Sequence, residues 1–435
     1  MLSNITQALN GKNILILGFG REGKSTLEFI KRYAEPLSVT VADSQEISAD
    51  GCNTVCGVDY QKGLEKYDVI IKSPGVVYET PTDEILAKTT SQTTLFLSAF
   101  ADRCIGITGT KGKSTTTSLV YHVLKESGRD ALICGNIGIP PLSVVDDMLD
   151  GDRIAVLEMS CHQLEYERYS PHIAVILNLY EDHLDHYGTR DKYVDAKRNI
   201  YRNQSSTDVF VCNIECQREL SEAKGETVSV GDGGDVALLD NGFWANGVNV
   251  MLEKDSTALV GRHNLFNIAT AFAVVSRFGI CEADFLSALK TFKPLAHRLE
   301  YVATVNGVDY YDDSISTVCQ TTIQAVTALE NVDTVLVGGM DRGIDYTELV
   351  EFFKKNPVNN IILMYSSGER IAKMLDETGT PYILAEDLEK AVDIAVKVTE
   401  IGKKCVLSPA AASYGYFKNF EHRGDVFCEL LCKYQ

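Results

Sequence analysis

Short apolar runs alternate with longer stretches of mixed polarity along most of this chain. The runs are three to five residues long and rich in Val, Ile and Leu, which is typical of buried β-strands, and the stretches between them are long enough for helices. An alternation of this kind predicts an α/β fold with mostly parallel sheets. The predicted strands are residues 13–17, 39–41, 69–71, 104–107, 131–133, 154–157, 174–177, 209–211, 334–337, 361–364 and 405–407.

The length of 435 residues is too great for one ordinary hydrophobic core and predicts about three domains. A second α/β unit opens near residue 98. The segment Phe292-Lys293-Pro294 predicts a linker, because proline interrupts the helical pattern before it. We also predict a β-hairpin around residues 243–251 and a helix over residues 264–278. The expected domains are residues 1–97 and 294–435, both Rossmann-like, and residues 98–293, similar to P-loop ATPases.

Composition and charge narrow the class of protein. Apolar residues make up 45% and charged residues 23% of the chain, as in soluble globular proteins. The formal net charge of −19 argues against a nucleic-acid partner, which normally meets a basic face. No apolar run approaches the ~18 residues of a membrane span, and the first residues lack the leader of a secreted protein. The 12 cysteines form no C-x-x-C pair, so we expect reduced thiols in the cytoplasm.

A glycine-rich segment carries the clearest chemical signal. It reads Gly109-Thr110-Lys111-Gly112-Lys113-Ser114-Thr115 and lies between a predicted strand and a predicted helix over residues 115–126. A strand, a glycine loop and a helix N-terminus in this order form a phosphate cradle. Its backbone N–H groups face the anion, the lysine adds positive charge and the serine hydroxyl is a ligand for Mg²⁺. The segment therefore predicts a nucleoside triphosphate site.

A second glycine motif, Gly18-Phe19-Gly20-Arg21-Glu22-Gly23, follows the first predicted strand and precedes a helix that we predict to end near Tyr33. Asp43 ends the second strand, at the spacing at which an acid meets a ribose. By itself this pattern favours an NAD-type cofactor. Because the chain has another phosphate loop and no other motif typical of hydride transfer, we favour a nucleotide diphosphate here and keep an NAD-dependent oxidoreductase as an alternative.

Acidic residues and histidines follow two strands of the central region. Glu158 ends one strand, and Asn178 ends the next and is followed by Glu181-Asp182-His183-Leu184-Asp185-His186. Carboxylates at strand ends beside a phosphate loop are typical of Mg²⁺ sites, so this region predicts a metal site for phosphoryl transfer. Lys197 falls on a predicted helix, where its pattern alone is typical of a solvent-exposed lysine.

The order of these motifs points to a family. Together they resemble the Mur ligases of peptidoglycan synthesis, above all the members that add D-glutamate, and the resemblance covers essentially the whole chain. The further motifs that carry it are Gly135-Asn136-Ile137-Gly138, Ser160, Ala196-Lys197, His263-Asn264 with Asn267, His297-Arg298 with Glu300, Asp313-Ser314, Ser408-Pro409-Ala410 with Ala412-Ser413, and Phe417-Lys418-Asn419-Phe420 with Arg423-Gly424.

The resemblance implies an activity. It implies an ATP-dependent, ADP-forming ligase that adds glutamate, with D-glutamate as the first choice, to UDP-N-acetylmuramoyl-L-alanine through an acyl phosphate. It further implies ATP, two Mg²⁺ ions and a carbamylated Lys197. The protein would act in the cytoplasm as a monomer, in cell-wall synthesis, cell shape and cell division, without a nucleic-acid or membrane partner.

The same resemblance assigns roles to single residues. The catalytic residues would be Lys113, Glu158, His183 and Lys197, and metal ions would contact Ser114, Glu158, His183 and the carbamate on Lys197. ATP would contact Gly109, Thr110, Lys111, Gly112, Lys113, Ser114, Thr115, Asn264, Asn267, Arg298 and Asp313, with Asn264 and Asn267 facing the adenine. The UDP substrate would contact Gly18, Phe19, Gly20, Arg21, Asp43, Ser44, Ser73, Pro74, Gly75 and Asn136. The incoming amino acid would contact Thr317, Arg342, Ser413 and Phe420.

Two positions depart from the family's D-glutamate-adding members. Where these usually read D-S-K-A-T-N, this chain has Asp313-Ser314-Ile315-Ser316-Thr317-Val318, so Ile315 stands in place of a lysine. Where they read G-G-x-x-K, it has Gly338-Gly339-Met340-Asp341-Arg342. Both lysines lie near the incoming amino acid in the family. Addition of L-glutamate or another amino acid to the same acceptor therefore stays open, and we expect Arg342 to bind a carboxylate of that amino acid in bidentate fashion.

Overall fold

A computed structural model describes residues 2–79, 81–220, 223–253, 257–259, 261–293, 296–329 and 331–434. The chain forms two compact units. The first comprises Met1–Thr257 and Arg262–Phe292, and the second comprises Ala258–Gly261 and Lys293–Gln435. The predicted linker ends at Pro294, which lies outside the described residues, and the limits of the three expected domains stay predictions.

The first unit begins with a parallel five-stranded sheet in the order β3-β2-β1-β4-β5. The order reverses between β1 and β4, so the loops after these two strands flank the crevice in which open α/β sheets bind ligands. Its elements are α1 (Leu2–Leu9), β1 (Asn13–Leu17), α2 (Arg21–Tyr33), β2 (Ser38–Asp43), β3 (Asn53–Cys56), β4 (Val69–Lys72), α3 (Asp83–Lys88), β5 (Thr89–Thr90) and α4 (Gln92–Phe100).

A nine-stranded sheet completes the first unit, in the order β14-β13-β12-β11-β10-β9-β6-β8-β7. It is parallel from β7 to β12, and β12, β13 and β14 pair in antiparallel fashion, which confirms the predicted hairpin. Its elements are β6 (Cys104–Thr108), α5 (Lys113–Glu126), β7 (Ala131–Gly135), α6 (Val145–Leu149), β8 (Ile154–Glu158), α7 (Cys161–Leu164), β9 (Ile173–Ile176), α8 (Leu184–Tyr187), α9 (Arg190–Arg202), β10 (Val209–Asn213), β11 (Glu226–Gly231), β12 (Val236–Leu239), β13 (Gly242–Ala245), β14 (Val248–Met251), α10 (Arg262–Val275) and α11 (Glu282–Thr291).

The second unit is built on a six-stranded sheet in the order β15-β16-β20-β17-β18-β19. Only the β15–β16 pair of the described strands in this sheet is antiparallel, so β16, β20 and β17 end at the same edge. Its elements are β15 (Glu300–Val305), β16 (Val308–Asp312), α12 (Cys319–Ala328), β17 (Val332–Gly338), α13 (Thr347–Lys355), β18 (Asn360–Met364), α14 (Tyr365–Thr378), β19 (Ile383–Ala385), α15 (Leu388–Val398), β20 (Lys404–Leu407) and α16 (Phe420–Cys432).

Every predicted strand is present, with ends that differ by at most two residues. The helix predicted over residues 264–278 begins at Arg262 and finishes as a short 3₁₀ turn, Ser276–Phe278. The other 3₁₀ turns are Gly57–Asp59, Leu64–Lys66, Ala101–Arg103, Pro141–Val144 and Ile214–Glu219. None of the helices in the described part of the chain is both long and apolar enough to span a bilayer. The 12 cysteines are free thiols, as expected.

Candidate active site

The predicted phosphate loop joins the end of β6 to the start of α5. Gly112 has φ +83°, and a Cβ atom there would lie 2.6 Å from Oδ1 of Asn267. A Cβ atom at Gly109 would lie 2.9 Å from Cβ of Leu177. Only glycine fits both positions without a shift of the neighbours. The backbone of the loop is therefore held at the close approach that a phosphate cradle requires.

Asn178, which follows β9, anchors this loop from below. Its Oδ1 accepts a hydrogen bond from the backbone N–H of Lys111 at 2.8 Å, and its Nδ2 donates to the carbonyl of Lys111 at 3.0 Å. The hydroxyl of Thr110 lies 2.9 Å from that of Tyr193 and accepts from the N–H of Tyr180 at 3.0 Å. The loop thus has its shape before any ligand binds.

Lys113 is the first residue of α5, and its ammonium group lies over the loop. Its Nζ donates to the carbonyls of Gly109 at 3.0 Å and Thr110 at 2.9 Å. The helix N-terminus and the Lys113 cation lie at the same loop, which is the arrangement that binds phosphate oxygens. These residues fit a nucleoside triphosphate, as the sequence predicted.

The residues predicted to contact adenine lie behind the loop. Asn264 and Asn267 are one helical turn apart on α10, and both are buried. Nδ2 of Asn267 donates to Oδ1 of Asn264 at 3.1 Å, while its own Oδ1 faces Gly112. The structure therefore brings both residues to the phosphate loop, and their contact with adenine stays a prediction.

Glu158, at the end of β8, is 2% exposed. Its Oε1 accepts a hydrogen bond from Nδ2 of Asn136 at 2.6 Å, whereas its buried Oε2 has no hydrogen-bond partner among the described residues. A buried carboxylate oxygen without a partner is costly, and a hard cation such as Mg²⁺ prefers this type of ligand. The site therefore fits a magnesium ion. Asn136, predicted to contact the UDP substrate, also holds this carboxylate.

His183 lies at the start of α8 in a left-handed conformation, with φ +53°. Its carbonyl accepts the backbone N–H groups of His186 at 3.1 Å and Tyr187 at 3.0 Å, and its own N–H donates to Oδ1 of Asp182 at 3.0 Å. A histidine in this conformation is strained, and such strain concentrates at functional sites. The turn places the imidazole beside the acidic residue that precedes it.

The pattern of α9 alone indicated an exposed Lys197, and this is wrong, because the residue is 1% exposed. Its Nζ donates to the carbonyl of Gly109 at 2.9 Å and to Oγ1 of Thr108 at 3.3 Å, and it lies 4.8 Å from the ring centroid of Tyr193. Among the described residues, no carboxylate forms an ion pair with it. Burial, and to a lesser extent the nearby Lys113, lowers the pKa of Lys197 from its usual 10.5 to about 7.

Lys113, His183 and Lys197 line one cavity of about 400 Å³ in the first unit. Of the predicted site residues, the structure brings together Pro74, Gly75, Thr110, Lys113, Asn136, His183 and Lys197. Five further polar residues line the cavity and received no individual role from the sequence, namely Ser160, Cys161, His162, Asp182 and Tyr193. Helical spacing was a usable signal for Tyr193, which precedes Lys197 by four residues on α9.

The first glycine motif forms the loop after β1. Gly18 has φ +95°, and a Cβ atom there would lie 2.8 Å from Cβ of Ser73, whose hydroxyl donates to the Gly18 carbonyl at 2.9 Å. Both carboxylate oxygens of Asp43 accept backbone N–H groups, from Phe19 at 2.6 Å and from Gln45 at 2.9 Å. The loops after β1, β2 and β4 thus form one rigid rim. The contacts of this rim with UDP stay predictions.

Two other residues predicted to contact UDP flank this rim. Ser44 lies beside Asp43, and its hydroxyl is 3.5 Å from Oδ1 of that carboxylate. Arg21, at the start of α2, donates from Nη1 to the carbonyl of Gly138 at 3.0 Å. Gly20 leaves open space where a Cβ atom would be, so nothing in the described structure crowds the loop there. The loop from Gly18 to Gly23 is therefore open at Gly20.

In the second unit, Asp313 follows β16 and is 4% exposed. Its Oδ2 accepts from the hydroxyl of Ser408 at 2.7 Å, and its Oδ1 accepts from the backbone of Leu299 at 3.2 Å. Burial raises the pKa of Asp313 from 3.8 to about 7, and the cation of Arg298 opposes part of that rise. The structure therefore places Arg298 close to Asp313. Their contacts with ATP stay predictions.

The residues predicted to bind the incoming amino acid gather at the edge where β16, β20 and β17 end. Met340 pairs with Ala412 in an antiparallel bridge, which brings the loop of Arg342 beside that of Ser413. Ser413 is 3% exposed, whereas Arg342 is exposed to solvent. Thr317 lies half-buried in the loop before α12. The proximity of these two loops supports a common site, although their roles stay predictions.

Arg423 connects these loops. It is fully buried, its Nη2 donates to the carbonyl of Ser314 at 2.7 Å, and its Nη1 donates to the carbonyl of Ala411 at 3.0 Å. The hydroxyl of Ser314 donates in turn to the carbonyl of Phe420 at 2.8 Å. Burial lowers the pKa of Arg423 to about 10. The guanidinium therefore organises the site, which the sequence motif alone did not indicate.

Comparison with known proteins agrees with this arrangement. Residues 107–275 match the family model described as the Mur ligase middle domain. UDP-N-acetylmuramoylalanine–D-glutamate ligases of Bacillus mycoides (strain KBAB4) and Bacillus thuringiensis (strain Al Hakam) are each 32% identical to this chain over 456 aligned positions, which cover 99% of the chain and 100% of the relative.

Solved structures share the fold. MurF ligase from Thermotoga maritima, crystallised with ADP, superimposes with a TM-score of 0.61 at 19% identity, with 100% of both chains covered. MurF from Acinetobacter baumannii gives a TM-score of 0.63 at 17% identity, with 99% of this chain and 97% of the other covered. The full-length identity to the two Bacillus ligases leaves no basis for the oxidoreductase alternative. By its full-length identity to the two Bacillus ligases, this chain belongs to the Mur ligase family.

Proposed function

We propose that this Mur ligase uses ATP to join D-glutamate to UDP-N-acetylmuramoyl-L-alanine, releasing ADP and phosphate. The observation that carries the proposal is a single cavity lined by the phosphate-loop Lys113, by Asn136, which holds Glu158, and by the buried Lys197. The identity of the chain to D-glutamate-adding ligases over its whole length supports the choice of substrates.

The chemistry follows from the low electrophilicity of a carboxylate. A carboxylate oxygen of the acceptor attacks the γ-phosphorus of ATP, and the bond from that phosphorus to the β-phosphate oxygen breaks. ADP is released, and the acceptor becomes an acyl phosphate. The amine of glutamate then attacks the acyl carbon and loses a proton, and phosphate departs with the electrons of the C–O bond. Lys113 and the loop N–H groups would stabilise charge on the transferred phosphoryl group.

Magnesium fits the donors at this site. Glu158, Ser114 and His183 are the side chains that would hold it, with Glu158 offering a buried oxygen that lacks a hydrogen-bond partner in the described structure. When bound, Mg²⁺ would supply positive charge against the phosphate oxygens. Asn136 orients the Glu158 carboxylate through its 2.6 Å hydrogen bond.

We also propose that Lys197 acts as a carbamate. Its neutral amine would attack CO₂ and release a proton, which turns a buried cation into an anion. A pKa of about 7 makes the neutral amine abundant at pH 8, and the absence of an ion-pair partner among the described residues leaves the cation unfavoured there. The carbamate oxygens would add a second set of Mg²⁺ ligands near Gly109.

The position of Ile315 keeps a second candidate open, in which L-glutamate or another amino acid is added to the same acceptor. Ile315 offers no charge to a glutamate carboxylate, and Arg342, which is exposed on the neighbouring loop, is the cation that remains in the motif. A guanidinium binds a carboxylate with two parallel hydrogen bonds. We therefore assign it the γ-carboxylate of glutamate. We propose further that the protein is a cytoplasmic monomer.

An isotope experiment tests the proposed chemistry. The acceptor is prepared with ¹⁸O in the carboxylate of its L-alanine and is incubated with ATP, Mg²⁺ and D-glutamate. The acyl-phosphate route transfers one ¹⁸O atom to the phosphate that is released, because the attacking oxygen stays on phosphorus. Released phosphate that contains only ¹⁶O, together with amide product, would exclude the acyl phosphate.

A further inference from the structure

Three potential soft-metal ligands meet at the cavity. Sγ of Cys161, a ring nitrogen of His162 and a ring nitrogen of His183 all lie within 4.8 Å of one another, and Sγ lies 3.6 Å from Nδ1 of His162. All three residues line the cavity, so an ion has an entry path. None of the roles proposed above involves Cys161 or His162.

Local structure fixes the first two ligands. Ser160 caps α7, where its hydroxyl accepts the N–H of Gln163 at 3.2 Å while Oε1 of Gln163 accepts the N–H of Ser160 at 3.0 Å. This reciprocal cap determines the direction of the next two residues. Cys161 is 3% exposed, and His162 is half-buried. Because the backbone is already held, little ordering is needed to bind an ion.

Rings on two sides hold the imidazole of His162. Its centroid lies 4.8 Å from that of His183 and 4.7 Å from that of His186, both in edge-to-face geometry. His186 is itself fixed, because its Nε2 lies 3.2 Å from both carboxylate oxygens of Glu165. A ring held in this way keeps a constant position toward Cys161, as ligands of metal sites do.

The geometry suits a tetrahedral ion. Bond lengths of about 2.3 Å to sulfur and about 2.0 Å to nitrogen place the two donor atoms about 3.5 Å apart in a tetrahedral site, close to the 3.6 Å between Sγ and Nδ1 of His162. Thiolate and imidazole select Zn²⁺ and Co²⁺, whereas Mg²⁺ prefers oxygen. With three protein ligands, the fourth position faces the cavity.

We propose that Cys161, His162 and His183 form a binding site for a Zn²⁺-like transition-metal ion. Binding displaces the thiol proton of Cys161 to solvent, and the thiolate, two imidazoles and one water complete the coordination. His183 is also an expected ligand of the catalytic Mg²⁺. The consequence for catalysis rests on the proposed function: an ion bound at this site makes His183 unavailable to the catalytic Mg²⁺ and so inhibits ligation.

Cobalt reports on the thiolate directly and needs no catalytic activity. One equivalent of Co²⁺ is added to the full-length protein, and a thiolate-to-cobalt charge-transfer band with tetrahedral ligand-field bands is expected. Cys161→Ser should abolish the charge-transfer band and weaken Zn²⁺ binding in competition titrations by at least about tenfold. Cys281→Ser is the matched control, since Cys281 is exposed and does not line the cavity, and it should keep both properties.

Two results would overturn the site. One is a wild-type spectrum without the charge-transfer band, and the other is a band that survives in Cys161→Ser. If that variant fails to fold, His162→Gln serves instead, and an unchanged Co²⁺ affinity in this variant would also exclude the site. Inhibition of ligation by micromolar Zn²⁺ is measured separately, so a protein that binds cobalt but ligates nothing would contradict the proposed function and leave the metal site standing.

Discussion

A single buried lysine shows what packing adds to sequence. Lys197 is 1% exposed, and its nearest hydrogen-bond partners are the neutral oxygens of Gly109 and Thr108. A buried ammonium group with neutral partners is unfavourable, which is why its pKa falls to about 7. Carbamylation would remove the positive charge and provide oxygen ligands beside the loop that we predict to bind the ATP phosphates.

The first prediction concerns this residue. Lys197→Ala should lower the rate of ligation by about 100-fold or more, in the range of a lost metal ligand or general catalyst, and formate or acetate should restore part of the loss, because a small carboxylate occupies the space of the carbamate. Lys192→Ala, on the exposed face of the same helix, is the control and should have no effect. Normal activity in Lys197→Ala would remove the carbamate from the mechanism.

The second prediction concerns pH and stability. The folded-state pKa of Lys197 lies below its unfolded value, so between pH 7 and about 10 the unfolded chain binds more protons, and stability from this group rises with pH. In CO₂-free buffer, the gain in the free energy of unfolding of Lys197→Met over wild type should therefore be larger at pH 7 than at pH 8 or 9. That advantage should shrink by up to about 1.4 kcal/mol per pH unit as pH rises to 9. Urea unfolding measures the difference, and a constant gap between the two proteins from pH 7 to 9 would show that Lys197 stays protonated in the folded protein, so that its pKa is not lowered.

The third prediction concerns Arg342. Arg342→Ala should raise the KM for the amino acid by about tenfold or more, as expected for a lost charge-assisted contact, and should leave the KM for ATP unchanged. Lys354→Ala removes another exposed cation of the second unit and serves as the control. An unchanged KM for the amino acid in Arg342→Ala would exclude the proposed contact.

At the scale of elements, the two ends of α5 provide a matched pair of glycines. Gly112 and Gly128 both have positive φ, +83° and +73°, but a Cβ atom at Gly112 meets Asn267 while one at Gly128 meets nothing within 4 Å. Both alanine variants should lose about 1 kcal/mol of stability through backbone strain, and Gly112→Ala should lose more because its Cβ atom would displace Asn267. Only Gly112→Ala should raise the KM for ATP, by about tenfold, which corresponds to about 1.4 kcal/mol. Steady-state kinetics measure this, and equal KM values in the two variants would contradict the close-packed loop.

The elements that could be predicted from the sequence are of two kinds: buried strands that contain an apolar run, and segments that carry a recognisable motif. The buried strands β1, β6 and β17 each contain an apolar run, over residues 14–17, 104–107 and 335–337, and were placed to within two residues. The edge strand β3 was missed because its residues Asn53 and Thr54 are exposed, so no apolar pattern marks it. Helix α1, of only eight residues, was missed as well.

For the candidate site, sequence patterns located the residues at the strand ends but not the side chains that pack around them from α7, α8 and α9. The phosphate loop and Glu158 were predictable because their roles depend on chain order. The burial of Lys197 and the convergence of Cys161 with His183 depend on how α7, α8 and α9 pack, and no local pattern encodes that packing. The resemblance to Mur ligases, not periodicity, identified Lys197 as a candidate.

At the scale of the whole molecule, the residues with predicted roles are divided between two units. The first contains the phosphate loop, the rim formed by the loops after β1, β2 and β4, and the buried lysine, and the second contains Asp313, Arg342 and the loops that Arg423 connects. The net charge of −19 means that anionic substrates are attracted by these local cations and helix ends, not by the overall field. Local positive charge suits a ligase whose three substrates, the UDP-linked acceptor, glutamate and ATP, are all anions.

The most direct test of the central claim is a coupled assay of phosphate release and amide formation. Purified protein is given Mg²⁺, ATP and UDP-N-acetylmuramoyl-L-alanine, with D-glutamate, L-glutamate and a panel of other amino acids in separate reactions. We predict one ADP and one phosphate for each amide formed, with D-glutamate as the preferred amino acid. Preference for L-glutamate would favour the second candidate, and no ADP or amide with any amino acid would contradict the assignment as a ligase.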